Sequence, residues 1–118
     1  MSKSPIDYLQ HILMECVFIQ SVLPDEIDKE KFLSDETLKR AIVRSLEIIG
    51  EATKQISSDI RFKWNKIKWK NIAGMRDKLI HDYVGVNYSI VWDVAKYGIP
   101  ELIVQISEII NTEKDNFD

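Results

Sequence analysis

An apolar repeat through the middle of the chain constrains the fold more than any other feature. Six apolar or small residues recur at steps of four and three: Leu38, Ile42, Ser45, Ile49, Ala52 and Ile56. This is heptad spacing, so it predicts a helix from about Ser34 to Ser57 that packs along a neighbouring helix or a second copy of the chain. Gly50 lies inside this helix, where a glycine often marks the close approach of another backbone.

Further helices are predicted on both sides of this one. Ser4 and Pro5 mark the start of the first helix, because serine is a favoured N-cap and proline a favoured first helical residue, and Pro24 ends it. The remaining helices are expected at about Trp69–Tyr83, at Tyr88–Tyr97 behind an Asn87 cap, and from Pro100 onward after a Gly98 C-cap, with a turn at residues 84–86. Only seven of the 118 residues are Gly or Pro. We therefore expect one all-α domain over residues 1–118, an up-and-down bundle of about five helices.

Composition indicates a globular protein of the cytoplasm. Hydrophobic residues make up 45% of the chain and charged residues 30%, which argues against disorder. No apolar segment approaches the roughly 20 residues that span a membrane, and no apolar segment of a signal peptide follows Met1. Cys16, the lone cysteine, is interpreted as a small buried hydrophobe. One cysteine and two histidines form no zinc site unless carboxylates complete it, so we expect no metal site.

Charge is distributed unevenly along the chain. The net charge of −3 argues against a general nucleic-acid binder, yet residues 61–78 hold seven Lys or Arg and one acid, a local charge of +6 that leaves −9 elsewhere. Phe62, Trp64 and Trp69 interleave with these cations. The segment either contacts a phosphate backbone or is a solvated connection whose aromatic side chains turn into the core. The net charge of −9 on the rest of the chain suggests a surface that binds a partner.

His81 is the strongest candidate for chemistry, whereas His11 is interpreted as a structural or surface residue. Asp77 precedes His81 by four residues, so on one helix face it can orient the imidazole and favour its charged form. Arg76 precedes His81 by five residues, which is about 140° out of phase in a helix. A site that uses both therefore needs a bent helix or two copies of the chain.

Arginine, histidine and tyrosine together suffice for RNA cleavage without a metal. Histidine can move the protons of the 2′-hydroxyl or the leaving 5′-oxygen, arginine can hold the phosphate, and a tyrosine such as Tyr83 can hydrogen-bond phosphate or stack on a base. The same residues can also be ordinary surface and packing residues of an amphipathic helix. Arg44 is a possible second phosphate contact, although an ion pair with Glu47 explains it equally well.

The pattern Arg76-x4-His81-x-Tyr83 resembles the R-x4-H-x-Y motif of the HepT-like HEPN family. The resemblance extends along nearly the whole chain and in order. It includes DYLQHIL at 7–13, RSLEIIGEATKQIS at 44–57, KWKNIAGMRDKLIHDYVGVNYSIVWDV at 68–94 and IPEL at 99–102. Many members carry Asn after the motif arginine, whereas this chain has Asp77. The resemblance therefore does not fix the pH optimum of this chain.

The resemblance implies a HEPN-like helical homodimer in which two Arg76/His81 motifs meet in a cleft. It implies a metal-independent RNA endonuclease, without a cofactor, that acts on mRNA or tRNA as the toxin of a type II toxin–antitoxin system. It further implies a minimal nucleotidyltransferase antitoxin that transfers AMP from ATP to Tyr83. Two alternatives stay open: a non-catalytic helical partner of such a nucleotidyltransferase that binds nucleotide or RNA, and a structural dimer with no site.

Overall fold

The computed structural model of the chain describes residues 4–81 and 85–116, except for the side chains of Ile80, His81 and Asn116. Within these ranges the fold is all-α, as predicted, with one very short strand pair. The elements are α1 (Pro5–Val22), α2 (Lys29–Ser34), α3 (Glu36–Lys54), α4 (Ser58–Lys63), α5 (Trp69–Ala73), α6 (Met75–Leu79), β1 (Ile80–His81), β2 (Gly85–Val86), α7 (Tyr88–Asp93), a π-helical turn (Val94–Gly98), α8 (Ile99–Glu113) and a 3-10 turn (Lys114–Asn116).

The core lies where α1 packs against α3 and α8. The first helix begins and ends as predicted: Pro5 is its first residue, the Ser4 N–H donates to Asp7 Oδ2 at 3.1 Å, and the helix stops before Pro24. Cys16 is fully buried on its inner face, which confirms its interpretation as a core residue. No helix among the described residues is both long enough and apolar enough to cross a membrane.

The heptad stripe of α3 is buried along its whole length, so this prediction is confirmed. Its partners are helices of the same chain: α1 and the short helices α5 and α6. Gly50 allows a close approach of α5, because a Cβ atom there would lie 3.3 Å from the carbonyl oxygen of Ile72. The bounds of α3 are tighter than predicted, since Asp35 caps it by accepting from the Leu38 N–H at 3.0 Å and a separate helix, α2, precedes it.

The prediction of one helix from Trp69 to Tyr83 is wrong. The helix is interrupted at Gly74, resumes as α6 and ends at Leu79. The chain then forms β1, which pairs antiparallel with β2, Ile80 with Val86 and His81 with Gly85. Gly85 adopts φ +88°, a left-handed conformation that side chains other than glycine's disfavour, so this residue permits the reversal. Gly85 and Val86 therefore belong to a strand where only a turn was expected.

The last two predicted helices are present but joined differently. Asn87 caps α7 as predicted, accepting from the Ile90 N–H at 3.2 Å. Gly98 does not terminate a helix: its backbone is helical (φ −78°, ψ −39°), and the π-helical turn continues directly into α8. The Gly98 C-cap is therefore wrong: the left-handed backbone that favours glycine as a C-cap is absent here, and the helical backbone continues through Gly98.

Candidate active site

Arg76 lies on α6 and reaches across to α3. Its Nε atom is 3.5 Å from Oε2 of Glu47. The Arg76 side chain keeps 54% of its surface exposed, whereas Glu47 keeps 24%. Glu47 thus holds one edge of the guanidinium, while the exposed remainder of the group is accessible to an anionic ligand.

The sequence analysis named Glu47 only as a possible partner of Arg44 and missed its contact with Arg76. The sequence allowed an ion pair between Arg44 and Glu47, one turn apart on the same helix, but the structure pairs Glu47 with Arg76 instead. The signal available in the sequence was a glutamate next to the buried stripe of α3. Arg44 itself is exposed and lines a groove between α1 and α3, together with Tyr8, His11 and Glu51. Arg76 does not line this groove, so the role of Arg44 as a phosphate ligand stays a prediction.

The backbone of His81 lies in β1, directly after the helix that carries Arg76. Because α6 ends at Leu79, Asp77 and His81 are not stacked four residues apart on one helix, and that expected arrangement is wrong. The phase difference of about 140° between Arg76 and His81 also no longer applies, since it assumed a continuous helix. The out-of-phase placement of Arg76 and His81 is therefore no longer an argument for a dimer. Tyr83 and the His81 imidazole lie outside the described part of the chain, and Asp77 is exposed on α6.

The cations of residues 61–78, the basic segment, fall into two groups: those held by contacts within the protein and those without such a contact among the described residues. Arg61 caps the end of α3, because its guanidinium donates to the carbonyl oxygens of Thr53 (2.7 Å) and Ile56 (3.2 Å). Lys63 pairs with the buried carboxylate of Glu113. Both side chains are thus held by contacts within the protein, although the Lys63 side chain stays 56% exposed.

The aromatic residues of this segment divide in the same way. Trp64 donates to Glu113 at 3.3 Å, and Trp69, only 5% exposed, donates to the Trp64 carbonyl at 3.0 Å. Phe62, by contrast, is 80% exposed. Two of the three aromatics thus support the interpretation of a connection that turns its aromatics into the core, while the lysines after Lys63 still face solvent. Among the described residues, no three His, Cys, Asp or Glu side chains are grouped as metal ligands.

Comparison with known proteins identifies the family. The family model described as "Ribonuclease HepT-like" matches residues 7–109. A protein of Caldanaerobacter subterraneus subsp. tengcongensis named "Putative RNase" is 53% identical over 112 residues, which cover 95% of this chain and 99% of that protein. A "Putative RNase" of Methanocaldococcus jannaschii is 51% identical over 85 residues, 72% of this chain and 73% of that protein.

A third relative carries the family name itself. The "Probable ribonuclease HepT" of Thermococcus cleftensis is 42% identical over 102 residues, which cover 86% of this chain and 92% of that protein. No solved structure matches the chain. The matched segment includes most of α1, the buried stripe of α3, the Arg76/His81 region and most of α8. The chain therefore belongs to the HepT-like ribonuclease family.

Proposed function

We propose that this chain is a metal-independent RNA endonuclease with Arg76 and His81 as its catalytic residues. The observation that carries the proposal is the placement of Arg76, held by Glu47 on one edge and exposed on the other, directly before the strand that contains His81. Family membership and the names of the relatives support a ribonuclease-type function.

In the proposed reaction, the imidazole of His81 accepts the proton of a ribose 2′-hydroxyl. The 2′-oxygen attacks the adjacent phosphorus, the bond from phosphorus to the 5′-oxygen breaks, and a protonated imidazole supplies the proton of the new 5′-hydroxyl. The products are a 2′,3′-cyclic phosphate and a 5′-hydroxyl end. Arg76 offsets the charge that builds on the phosphate oxygens in the transition state. A DNA strand has no 2′-hydroxyl, so the substrate class is RNA, either mRNA or tRNA.

A homodimer fits the need for two proton transfers. One chain carries one His81, so a second copy of the motif in a shared cleft would allow one imidazole to accept a proton while the other donates one. Asp77, next to Arg76 and exposed, is a supporting residue that would raise the fraction of charged imidazole if it faces the same cleft. Arg44 is a supporting phosphate contact at the edge of the α1–α3 groove.

We further propose that the protein is the toxin of a type II toxin–antitoxin pair, silenced by a minimal nucleotidyltransferase. The Tyr83 hydroxyl would attack the α-phosphorus of ATP, forming Tyr-O-AMP and releasing pyrophosphate. Tyr83 follows His81 by two residues, so the added phosphate would place negative charge beside Arg76 and His81 and repel RNA. This part of the proposal rests on the family resemblance.

Expression in a bacterial host tests the toxin proposal. The parent chain is expected to arrest growth, the His81→Ala variant is not, and co-expression of a minimal nucleotidyltransferase encoded beside this gene should relieve the arrest. Tyr83→Phe should remain toxic even with that enzyme present, because it lacks the hydroxyl to be modified. If Tyr83→Phe is neutralised as well as the parent, modification of Tyr83 is not the mechanism. If the parent is harmless and cleaves no RNA, a non-catalytic partner of the nucleotidyltransferase becomes the better account.

A further inference from the structure

A cleft lies beside α6, and Glu47 is not among the residues that line it. It has a volume of about 260 Å³ and runs between the segment that contains α5 and α6 and the helix α8. Three lysines line it: Lys66, Lys68 and Lys78. Cavities that hold drug-sized ligands measure about 300–1,000 Å³, so this one suits a smaller planar group.

The apolar side chains of the cleft are buried or half-buried and form its floor, whereas its charged side chains are exposed and form its wall. Five aliphatic or thioether side chains contribute to its lining: Ile72, Met75, Val94, Ile99 and Leu102. Asn71 and Gln105 add amide groups, and Glu101 is the single acid. Amide and carboxylate side chains can pair with the edges of nucleobases, and an apolar surface can pack against a base face. An apolar floor with amides and cations around it thus combines the features that a nucleotide needs.

The lysines of the cleft differ from the structural cations before them. Among the described residues, the ion pairs of the basic segment involve Lys63 and Arg76 but not Lys66, Lys68 or Lys78. All three are exposed. Their charge is therefore free to meet phosphate oxygens, and with Glu101 subtracted the lining still carries a net charge of +2.

The short helix α6 connects this cleft to the candidate active site. Met75 and Lys78 line the cleft, while Arg76, between them in sequence, faces Glu47. If the scissile phosphate of an RNA strand rests on Arg76, a neighbouring nucleotide of that RNA would therefore lie within reach of the cleft.

We propose that this cleft is a binding subsite for one nucleotide of the RNA strand, outside the bond that is cleaved. The base rests on the apolar floor, and Lys66 and Lys68 contact the phosphates that flank it. The inference rests on the proposed ribonuclease function, because it assigns a part of the same substrate to a second place on the protein.

Binding of a 2′-O-methyl RNA oligonucleotide, which has no free 2′-hydroxyl and cannot be cleaved, tests the subsite without relying on activity. The test variant is Lys66→Gln with Lys68→Gln. The matched control is Lys29→Gln with Lys31→Gln, which removes the same charge from two exposed lysines at the same spacing on α2. We expect the test variant to bind at least about tenfold more weakly than the control at low salt, and its log K against log salt slope to be shallower by about 1.4, for two lost phosphate contacts at about 0.7 each.

Equal affinities and slopes for the two variants would overturn the subsite. A cleavage assay of unmodified RNA, run beside the binding assay, separates this outcome from failure of the proposed function. If the parent cleaves RNA and the two variants bind alike, the function stands and the subsite is wrong. If the test variant alone binds weakly while the parent cleaves nothing, the cleft is an RNA site and the proposed activity is wrong.

Discussion

The Nε atom of Arg76 lies 3.5 Å from Oε2 of Glu47, and this contact joins α6 to the central helix α3. The contact involves the Nε atom, and the arginine side chain stays 54% exposed, so N–H donors remain accessible to a phosphate. Since α3 is the most deeply packed element next to the site, Glu47 is placed to fix where the arginine points. We therefore treat Glu47 as a positioning residue.

Glu47→Gln should slow RNA cleavage at saturating substrate by about tenfold, because a loosely held Arg76 is misplaced in the transition state. The thermal midpoint should change little, since a partly exposed ion pair contributes about 1 kcal/mol at most. Glu51→Gln is the matched control: it removes an acid one turn away on the same helix, where Glu51 pairs with Lys54 at 3.3 Å. Single-turnover rates for the two variants measure the effect. Equal rates would show that Glu47 positions nothing.

Gly50→Ala should destabilise the fold by about 1–2 kcal/mol, because the new Cβ would meet the backbone carbonyl of Ile72 at 3.3 Å and overpack the α3–α5 contact. This figure is the net change: the overpacking costs about 2–3 kcal/mol, and the better helix propensity of alanine offsets about 1 kcal/mol of it. Gly98→Ala is the control and should stabilise by about 0.5–1 kcal/mol, since its backbone is helical and the nearest atom, in the Val94 side chain, is 3.8 Å away. Urea unfolding distinguishes the two, and a stable Gly50→Ala protein would contradict the close packing.

Arg61→Lys should lower the free energy of unfolding by about 1–2 kcal/mol while leaving RNA affinity unchanged. Lysine keeps the charge but cannot reproduce the two hydrogen bonds to Thr53 and Ile56 that cap α3. Thermal unfolding and RNA binding of the same preparation report the two effects separately. Weakened RNA binding in a folded Arg61→Lys protein would mean that this arginine contacts phosphate after all.

Cys16 should not react with a thiol reagent in the native protein. Burial, and secondarily the negative charge of Glu15, raises the pKa of Cys16 from an ordinary 9.0 to about 12. Near pH 8 the thiolate is then scarce as well as inaccessible. Ser58→Cys, which adds an exposed thiol on α4, is the positive control and should give one rapidly labelled group. Rapid labelling of the parent would show that α1 opens readily.

The same pKa shift gives a stability change at alkaline pH. The folded protein keeps the Cys16 proton to a higher pH than the unfolded chain, so stability is fully present below about pH 9 and falls as the pH rises toward 12. Unfolding midpoints of the parent should therefore decline above pH 9. A flat profile through that range would contradict a buried thiol.

Local patterns in the sequence predicted much of this fold. The stripe of α3, the start of α1 at Pro5 and the Asn87 cap depend on residues within a turn or two of one another, so their spacing alone predicts them. Gly50 was a correct signal of a close backbone contact because no other residue leaves that space.

The remainder depends on tertiary structure. The helix that was expected to reach Tyr83 ends at Leu79, because the pairing of β1 with β2 competes with further helical hydrogen bonds, and Gly85 was the one sequence signal of that reversal. The pair of Arg76 and Glu47 joins two elements that only the packing of α6 on α3 brings together. Gly98 failed as a cap for the same reason, since the sequence did not reveal a π-helical turn that runs on into α8.

Incubation of the purified parent and its His81→Ala variant with RNA in excess EDTA tests the central claim most directly. The account predicts that the parent cleaves the RNA and leaves 2′,3′-cyclic phosphate ends, and that the variant, folded and in the same oligomeric state, is at least about 100-fold slower. Cleavage by the variant at the parent's rate, or loss of the parent's activity in EDTA that added metal restores, would contradict a metal-independent site at Arg76 and His81.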